Sequence, residues 1–141
     1  MKILFAVDGS PHSHASVEKL ARRLDLFRER PQVTLMYVHP PLPYKHAVAW
    51  AGKAAVAAYY TEESDAALSD AVKTLSGLGV EFVVEKHVGD PSDELVRIAE
   101  AGGYDLLVMG THGHGALGNL VLGSVATKVL AKTKVPVLFL R

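Results

Sequence analysis

Cysteine is absent from the 141-residue sequence. This absence excludes a disulfide framework, thiolate catalysis, an iron–sulfur cluster and the common structural zinc sites, and it is typical of a reducing compartment. A surplus of charge is also absent, because 15 Lys and Arg balance 15 Asp and Glu. Nucleic-acid binders and proteins of anionic membranes usually carry a basic surplus. We therefore expect a cytoplasmic protein with no nucleic acid and no membrane among its partners.

Long apolar runs are missing as well. The first apolar run, residues 3–7, is followed directly by Asp8 and is too short for the core of a secretion signal. The longest weakly polar stretch, residues 47–60, contains Lys53 and falls short of the roughly 20 apolar residues of a membrane span. We expect one domain over residues 1–141, which is long enough for a single good-sized core.

Five short apolar runs predict β-strands at residues 3–7, 33–38, 82–88, 106–109 and 135–140. Most are apolar at consecutive positions, the pattern of strands that are covered on both faces. Segments of helical period separate them, with apolar residues at positions 17, 20, 21 and 24, then 68, 71, 72 and 75, then 95, 98 and 99, and finally 125, 126, 129 and 130. This alternation predicts an α/β fold with a doubly wound parallel sheet and helices on both faces.

Two helix starts and one irregular stretch can also be identified. Ser10 before Pro11 and Asp90 before Pro91 are typical of an N-cap followed by proline at the first helical position. Residues 40–60 are predicted to form a loop that leads into the second helix. Trp50, with Tyr59 and Tyr60 at its end, makes this stretch a candidate lid or partner surface.

Ligands of such sheets bind beyond the carboxyl ends of the strands, where the strand order reverses. The residues that follow predicted strands are Asp8, Gly9 and Ser10; His39 and Pro40; Gly89 and Asp90; and residues 110–113. The last group opens a glycine-rich stretch, residues 110–124, which has five glycines and no Lys, Arg, Asp or Glu. We therefore expect a binding site at this edge.

The sequence of this stretch does not satisfy either of two well-known phosphate-binding motifs. Gly113, Gly115 and Gly118 match the dinucleotide pattern, but residues 133–140 contain no acid for the ribose. Gly118 and Gly123 are spaced as in a Walker loop, yet Ser124 stands where the lysine is required. The Walker loop is excluded, and the missing acid disfavours the dinucleotide motif.

A third spacing is consistent with an anion site: Gly110, two residues, Gly113, nine residues, then Gly123 and Ser124 at the start of a helix. Gly110 lets a ligand approach the strand end, and Gly113 is expected to turn the chain through a positive φ. Gly123 and Ser124 are expected to present free backbone N–H groups and a hydroxyl at the positive end of the helix dipole. Gly115 and Gly118 can equally serve only the turn, and Asp8 can equally cap the first helix or bond Ser10.

This spacing, G-x2-G-x9-G-[ST], resembles the nucleotide loop of the universal stress protein family. The resemblance extends over nearly the whole chain through residues 7–10, 37–39, 88–91 and 135–138. It implies one universal stress protein domain over residues 1–141, with a Rossmann-like sheet of five strands in the order 3-2-1-4-5. It also implies a homodimer paired through the last strand, residues 135–140.

Carried over to this sequence, the resemblance implies an ATP site. Asp8 and the Gly9–Ser10 backbone are expected near adenine and ribose, and Val38 is expected to make main-chain contacts with the base. Ribose and phosphates are expected at Gly110, Gly113, Gly123 and Ser124, with His112 and Val125 as further nucleotide-binding candidates. A Mg²⁺ or Mn²⁺ ion is expected to be held by the phosphates, and no catalytic residue is assigned.

His114 stands where many ATP-binding members carry Lys or Arg. If protonated His112 and His114 replace that cation, ATP affinity should rise as the pH falls through roughly 6.5. The pairs His12/His14 and His112/His114 raise the hypothesis of a metal site built by the protein, but no metal-binding residue is assigned. His12 and His14, however, would start a helix, where side chains two residues apart diverge.

The expected function is that of an ATP-binding universal stress protein, a nucleotide-dependent regulator of the stress response that acts on a protein partner the sequence does not name. Little or no ATP turnover is expected, because the loop offers neither a fixed cation nor a base for phosphoryl transfer. Two alternatives stay open: a nucleotide-free interaction module, and an adenine nucleotide alpha-hydrolase-like enzyme that forms AMP and pyrophosphate.

Overall fold

A single parallel sheet of five strands organises the protein, whose computed structural model describes residues 1–43, 52–113 and 122–141. The order β3-β2-β1-β4-β5 and the parallel pairing of every neighbour confirm the predicted sheet. The strands are β1 Lys2–Val7, β2 Gln32–His39, β3 Phe82–Val88, β4 Leu106–Gly110 and β5 Val137–Leu140.

In the described part of the chain, four α-helices cover the sheet and enclose two separate cores. They are α1 Pro11–Ala21, α2 Lys53–Gly77, α3 Pro91–Ala101 and α4 Ser124–Lys132. Successive side chains of a strand point to opposite faces, so the consecutive apolar residues of β1 supply both cores. Leu4 and Ala6 pack with residues of α3 and α4, and Ile3, Phe5 and Val7 pack with residues of α1 and α2.

The two predicted N-caps are confirmed. The Ser10 hydroxyl accepts the Ser13 N–H at 3.1 Å, and Pro11 opens α1. Asp90 Oδ1 accepts the N–H groups of Ser92 at 2.9 Å and Asp93 at 3.1 Å at the start of α3. The Ser92 hydroxyl also donates to this carboxylate and, with the Asp93 N–H, holds the pKa of Asp90 below its ordinary value. These caps place the first turns of α1 and α3 directly after β1 and β3.

Three predicted boundaries were wrong. Helix α1 ends at Ala21, because the Arg23 N–H bonds the Leu20 carbonyl and the chain passes into a 3-10 turn at Leu24–Leu26. Helix α2 begins at Lys53, inside the predicted loop. Strand β5 begins after Pro136 rather than at residue 135.

The β5 boundary has a local cause. The Val135 N–H bonds the Thr133 hydroxyl at 3.1 Å instead of a strand, and proline has no N–H to offer. Trp50 and the rest of residues 44–51 lie outside the described residues. Within the described ranges, no helix combines the length and the hydrophobicity that crossing a membrane requires.

Candidate functional site

A cavity of about 460 Å³ lies at the carboxyl edge of the sheet, next to the first turns of α3 and α4. The chain leaves the central strand β1 for β2 on one side and later returns to β4 on the other, so the strand order reverses here. Ligands of open α/β sheets bind at such a point, and small-molecule sites usually measure roughly 300–1,000 Å³.

The structure brings most of the predicted site residues to this one cavity. Its lining includes Asp8, Val38, Gly110, His112, Gly113, Gly123, Ser124 and Val125. Gly9 and Ser10 do not line it. They border a smaller depression of about 160 Å³ between α1 and α2, and Ser10 is buried.

Asp8 connects the end of β1 with the loop after β4. Its Oδ1 accepts the Ser10 N–H at 2.9 Å, and its own N–H bonds the Ser13 hydroxyl at 3.2 Å. This bond to Ser10 is one of the structural roles that the sequence allowed for Asp8. The other carboxylate oxygen lies against Gly113, since a Cβ added to that glycine would overlap Oδ2. Asp8 is therefore held on one side while its carboxylate borders the cavity.

The predicted positive φ at Gly113 was wrong. Among the described glycines of this edge, the one with a positive φ is Gly9, at 78°, where an added Cβ would lie 3.0 Å from Ala67 Cα on α2. Gly113 matters for a different reason, because an added Cβ there would overlap the end of the Asp8 side chain and would have to displace that carboxylate.

Helix α4 presents its first turn to the cavity. The Gly123 N–H donates to the Thr111 carbonyl at 2.7 Å, so the prediction that this group is free was wrong. The helical ladder begins with the Thr127 N–H bonding the Gly123 carbonyl at 2.9 Å. The N–H groups of Ser124 and Val125 precede that ladder, and Gly123, the N-cap, has no side chain to satisfy them. This is the arrangement that binds anions at helix N-termini.

Much of the remaining lining of the cavity is apolar and includes Met36, Val38, Leu95 and Met109. Tyr37 borders the cavity too, and burial, together with the carboxylates of Glu63 and Asp8, raises the pKa of its phenol. The cavity thus combines an apolar wall with a helix N-terminus, as suits a ligand that has both a ring and an anionic group.

Charged side chains are scarce in the described lining. The described lining contains one carboxylate, that of Asp8, and neither Lys nor Arg. His112 borders the cavity with its Nδ1 2.8 Å from the Thr111 hydroxyl, and its ring centroid lies 6.0 Å from that of His12. In the described ranges, no three His, Asp or Glu residues form a group suited to hold a metal ion.

Sequence reasoning missed several lining residues, and it misplaced others. Of the pair after β2, Pro40 lines the cavity, whereas the His39 ring packs against Tyr60 with centroids 5.0 Å apart. After β3, the residues at the cavity are Pro91 and Leu95 rather than Gly89 and Asp90. The signal for Leu95 was its apolar position one turn after the α3 cap. His114 lies outside the described residues.

Replacing Gly113 tests the close approach to Asp8. Gly113→Ala should lower the free energy of unfolding by about 1–3 kcal/mol, because the new methyl group must displace the carboxylate. In an Asp8→Ala background the same substitution should cost less, since its clash partner is gone. Urea unfolding of the wild type, both single variants and the double variant measures this coupling. Equal losses in both backgrounds would contradict the contact.

Comparison with known proteins agrees with this architecture. The model of the universal stress protein family matches residues 1–141. The universal stress protein MJ0531 of Methanocaldococcus jannaschii is 31% identical over 141 residues, 99% of this chain and 81% of that protein. The universal stress protein Slr1230 of Synechocystis is 43% identical over 74 residues, 52% of this chain, and the match spans only 26% of that longer protein.

Solved structures share the fold. Protein MJ0577 of Methanocaldococcus jannaschii is 27% identical with a TM-score of 0.79, over 99% of this chain and 94% of its own. More distant structures include universal stress protein complexes with cAMP, at 22% identity and a TM-score of 0.67, and with dAMP, from Archaeoglobus fulgidus, at 24% and 0.67. An Arabidopsis thaliana family member with bound AMP has 16% identity and a TM-score of 0.69. The match over the whole chain shows that this protein belongs to the universal stress protein family.

Proposed function

We propose that this protein binds ATP in the cavity at the carboxyl edge of the sheet and acts as a nucleotide-dependent regulator of the stress response. The observation that carries the proposal is the first turn of α4, with Ser124 and Val125, in the same cavity wall as Gly110, Gly113 and Asp8. Complexes of three proteins of this fold with cAMP, dAMP and AMP support an adenine nucleotide as the ligand class.

The cavity suggests how ATP would lie. The adenine ring would contact the apolar wall at Val38 and Leu95, and the ribose would lie between Asp8 and Gly110. The phosphates would then accept hydrogen bonds from the N–H groups of Ser124 and Val125, assisted by the positive end of the α4 dipole. Gly9 and Ser10 would act indirectly, through the Ser10 N–H that holds Asp8.

A Mg²⁺ or Mn²⁺ ion would be bound mainly by the ATP phosphates. Such cations take oxygen ligands, and Asp8 is the one carboxylate of the described lining. One carboxylate with the phosphates of a bound nucleotide is a usual set for Mg²⁺, whereas an all-protein cage needs more oxygens.

Little or no ATP turnover is proposed. Rapid phosphoryl transfer needs stabilisation of the developing charge and a group that positions the nucleophile. The described lining has no Lys or Arg that could supply the first. We therefore propose a cytoplasmic binding protein whose nucleotide state alters the surface that a protein partner recognises.

We further propose that two copies pair through β5. This strand ends the sheet, and its four residues, Val137–Leu140, are all half-buried although each is apolar. An apolar edge strand with one paired side is a template for another strand. A second copy of the same strand would cover the apolar residues and satisfy the outer backbone groups in both protomers.

A proline in β5 tests this dimer. The carbonyls of Pro136 and Leu140 accept the N–H groups of Leu107 in β4 and of Thr111 just after it, so by alternation the Val137 N–H points to the outer edge. Val137→Pro should weaken self-association about tenfold or more, because it removes an outer donor. Val137→Ala keeps that donor and serves as the matched control for the lost side chain. Sedimentation equilibrium on the folded proteins measures both, and a dimer equally stable in the two variants would place the interface elsewhere.

Calorimetric titration tests ATP binding. Nucleotide-stripped protein should bind one Mg²⁺-ATP per chain and give no heat with GTP. Gly123→Val should weaken ATP binding about tenfold or more, because its branched side chain enters the space assigned to the phosphates. An added Cβ at Gly123 lies 3.4 Å from the Thr111 carbonyl, an ordinary contact, so the variant should fold.

Gly77→Val is the matched control, because an added Cβ there meets nothing within 4 Å and the residue ends α2. Normal ATP binding by folded Gly123→Val would show that the phosphates lie elsewhere. No ATP heat from folded wild-type protein would favour a nucleotide-free interaction module. Release of AMP and pyrophosphate would favour the alpha-hydrolase-like alternative.

A further inference from the structure

The segment that follows β2 borders the cavity but has little backbone hydrogen bonding of its own. Residues 40–43 read Pro-Pro-Leu-Pro, and since proline has no N–H, Leu42 carries the one backbone donor of these four residues. None of the four belongs to a helix or a strand. Pro40 nevertheless lines the cavity, two residues after Val38. Side chains are therefore needed to fix this part of the wall.

His39 fixes the first residue of the segment. Its Nδ1 lies 2.5 Å from the Pro40 carbonyl oxygen, and because a carbonyl can only accept, Nδ1 carries the hydrogen and donates it. The His39 carbonyl accepts the Gly89 N–H at 3.0 Å, which joins the end of β2 to the end of β3. The sheet thus fixes the main chain of His39, and the imidazole fixes the orientation of the Pro40 carbonyl.

Tyr60 fixes the same segment from helix α2. Its hydroxyl accepts the Leu42 N–H at 3.0 Å, so the one backbone donor of residues 40–43 is bonded to a side chain. Tyr60 lies on the face of α2 that continues with buried Ser64 and Leu68 at intervals of four residues. The Ser64 hydroxyl donates to the Tyr60 carbonyl at 2.6 Å. The buried face of α2 therefore carries the Tyr60 ring toward the sheet.

Aromatic packing connects these two side chains. His39 is buried, and the centroid of its ring lies 5.0 Å from that of Tyr60 and 5.6 Å from that of Tyr59. The Tyr37 ring lies 6.1 Å from His39 on the β2 side. All three contacts are edge-to-face, a favourable geometry for aromatic rings. Since Tyr37 also lines the cavity, the cluster joins the wall of the site to α2.

We propose that His39 and Tyr60 are positioning residues for the base side of the nucleotide site. This inference rests on the proposed ATP site, in which adenine contacts the wall at Val38. Neither positioning side chain belongs to the described lining, and both act through residues 40–43. A wall that is fixed before the ligand arrives avoids the entropy cost of ordering it on binding. Because the wall contacts the base, ATP and AMP benefit equally.

Tyr60→Phe is the test, because it keeps the ring and removes the hydroxyl that accepts the Leu42 N–H. Calorimetry on the full chain, at constant pH and Mg²⁺, should show affinity for ATP lowered about threefold to tenfold, and affinity for AMP lowered by the same factor. His39→Phe keeps a ring but loses the donor to Pro40, and it should lower both affinities similarly. Tyr59→Phe is the matched control and should bind both nucleotides as the wild type does.

Hydrogen exchange measures the contact without any nucleotide. The Leu42 amide should be protected in the wild type, and in Tyr60→Phe it should exchange severalfold faster, because its acceptor is gone. Amides of β1, which is buried on both faces, should keep their protection in Tyr60→Phe. This pattern would show a local release of the segment in a folded protein.

Each failure has its own signature. If the Leu42 amide exchanges faster in Tyr60→Phe but ATP and AMP bind as in the wild type, the positioning role is refuted and the ATP site stands. A loss for ATP alone, an equal loss in Tyr59→Phe, or unchanged exchange at Leu42 would also refute it. If folded wild-type protein binds neither ATP nor AMP, the proposed function fails, and the positioning role fails with it.

Discussion

The burial of β1 on both faces is the constraint on which the site depends. None of residues 3–7 is more than 7% exposed, and their side chains alternate between the core under α1 and α2 and the core under α3 and α4. A strand buried in this way must lie inside the sheet, with β2 on one side and β4 on the other. The crevice between the two crossovers then opens directly at Asp8, the first residue after the strand.

The glycines at this edge have different structural roles. Gly9 takes a positive φ and lets α2 approach its Cα, so that β1 can turn into α1. Gly113 leaves room for the Asp8 carboxylate, and Gly123 caps α4 without covering its first N–H groups. The cavity is therefore lined by backbone where a ligand must come close. The proposed anion site can therefore rely on backbone N–H groups, although its described lining has no Lys or Arg.

The fold could be predicted in detail because strong local signals agreed with one another. Runs of consecutive apolar residues predicted strands that are covered on both faces, and Ser or Asp before Pro predicted the start of a helix. The structure has both features. Boundaries at Leu24, Lys53 and Val137 were missed because they depend on single hydrogen bonds or on how far a helix continues without a breaker. The pairing of His12 with His112, and the use of the Gly123 N–H by Thr111, arise only when β4, α1 and α4 meet. Nothing in the local sequence contains that information.

The most direct measurement is the change in backbone amide chemical shifts of ¹⁵N-labelled protein as Mg²⁺-ATP is added. If ATP lies against the first turn of α4, the amides of Ser124 and Val125 should show the largest saturable shifts, together with Gly113 and Asp8. Amides of Gly77 and Gly79, at the opposite end of the sheet, should hardly move. Saturable binding with shifts confined to residues outside the cavity, or the absence of shifts in folded protein, would contradict the assignment of this cavity to ATP.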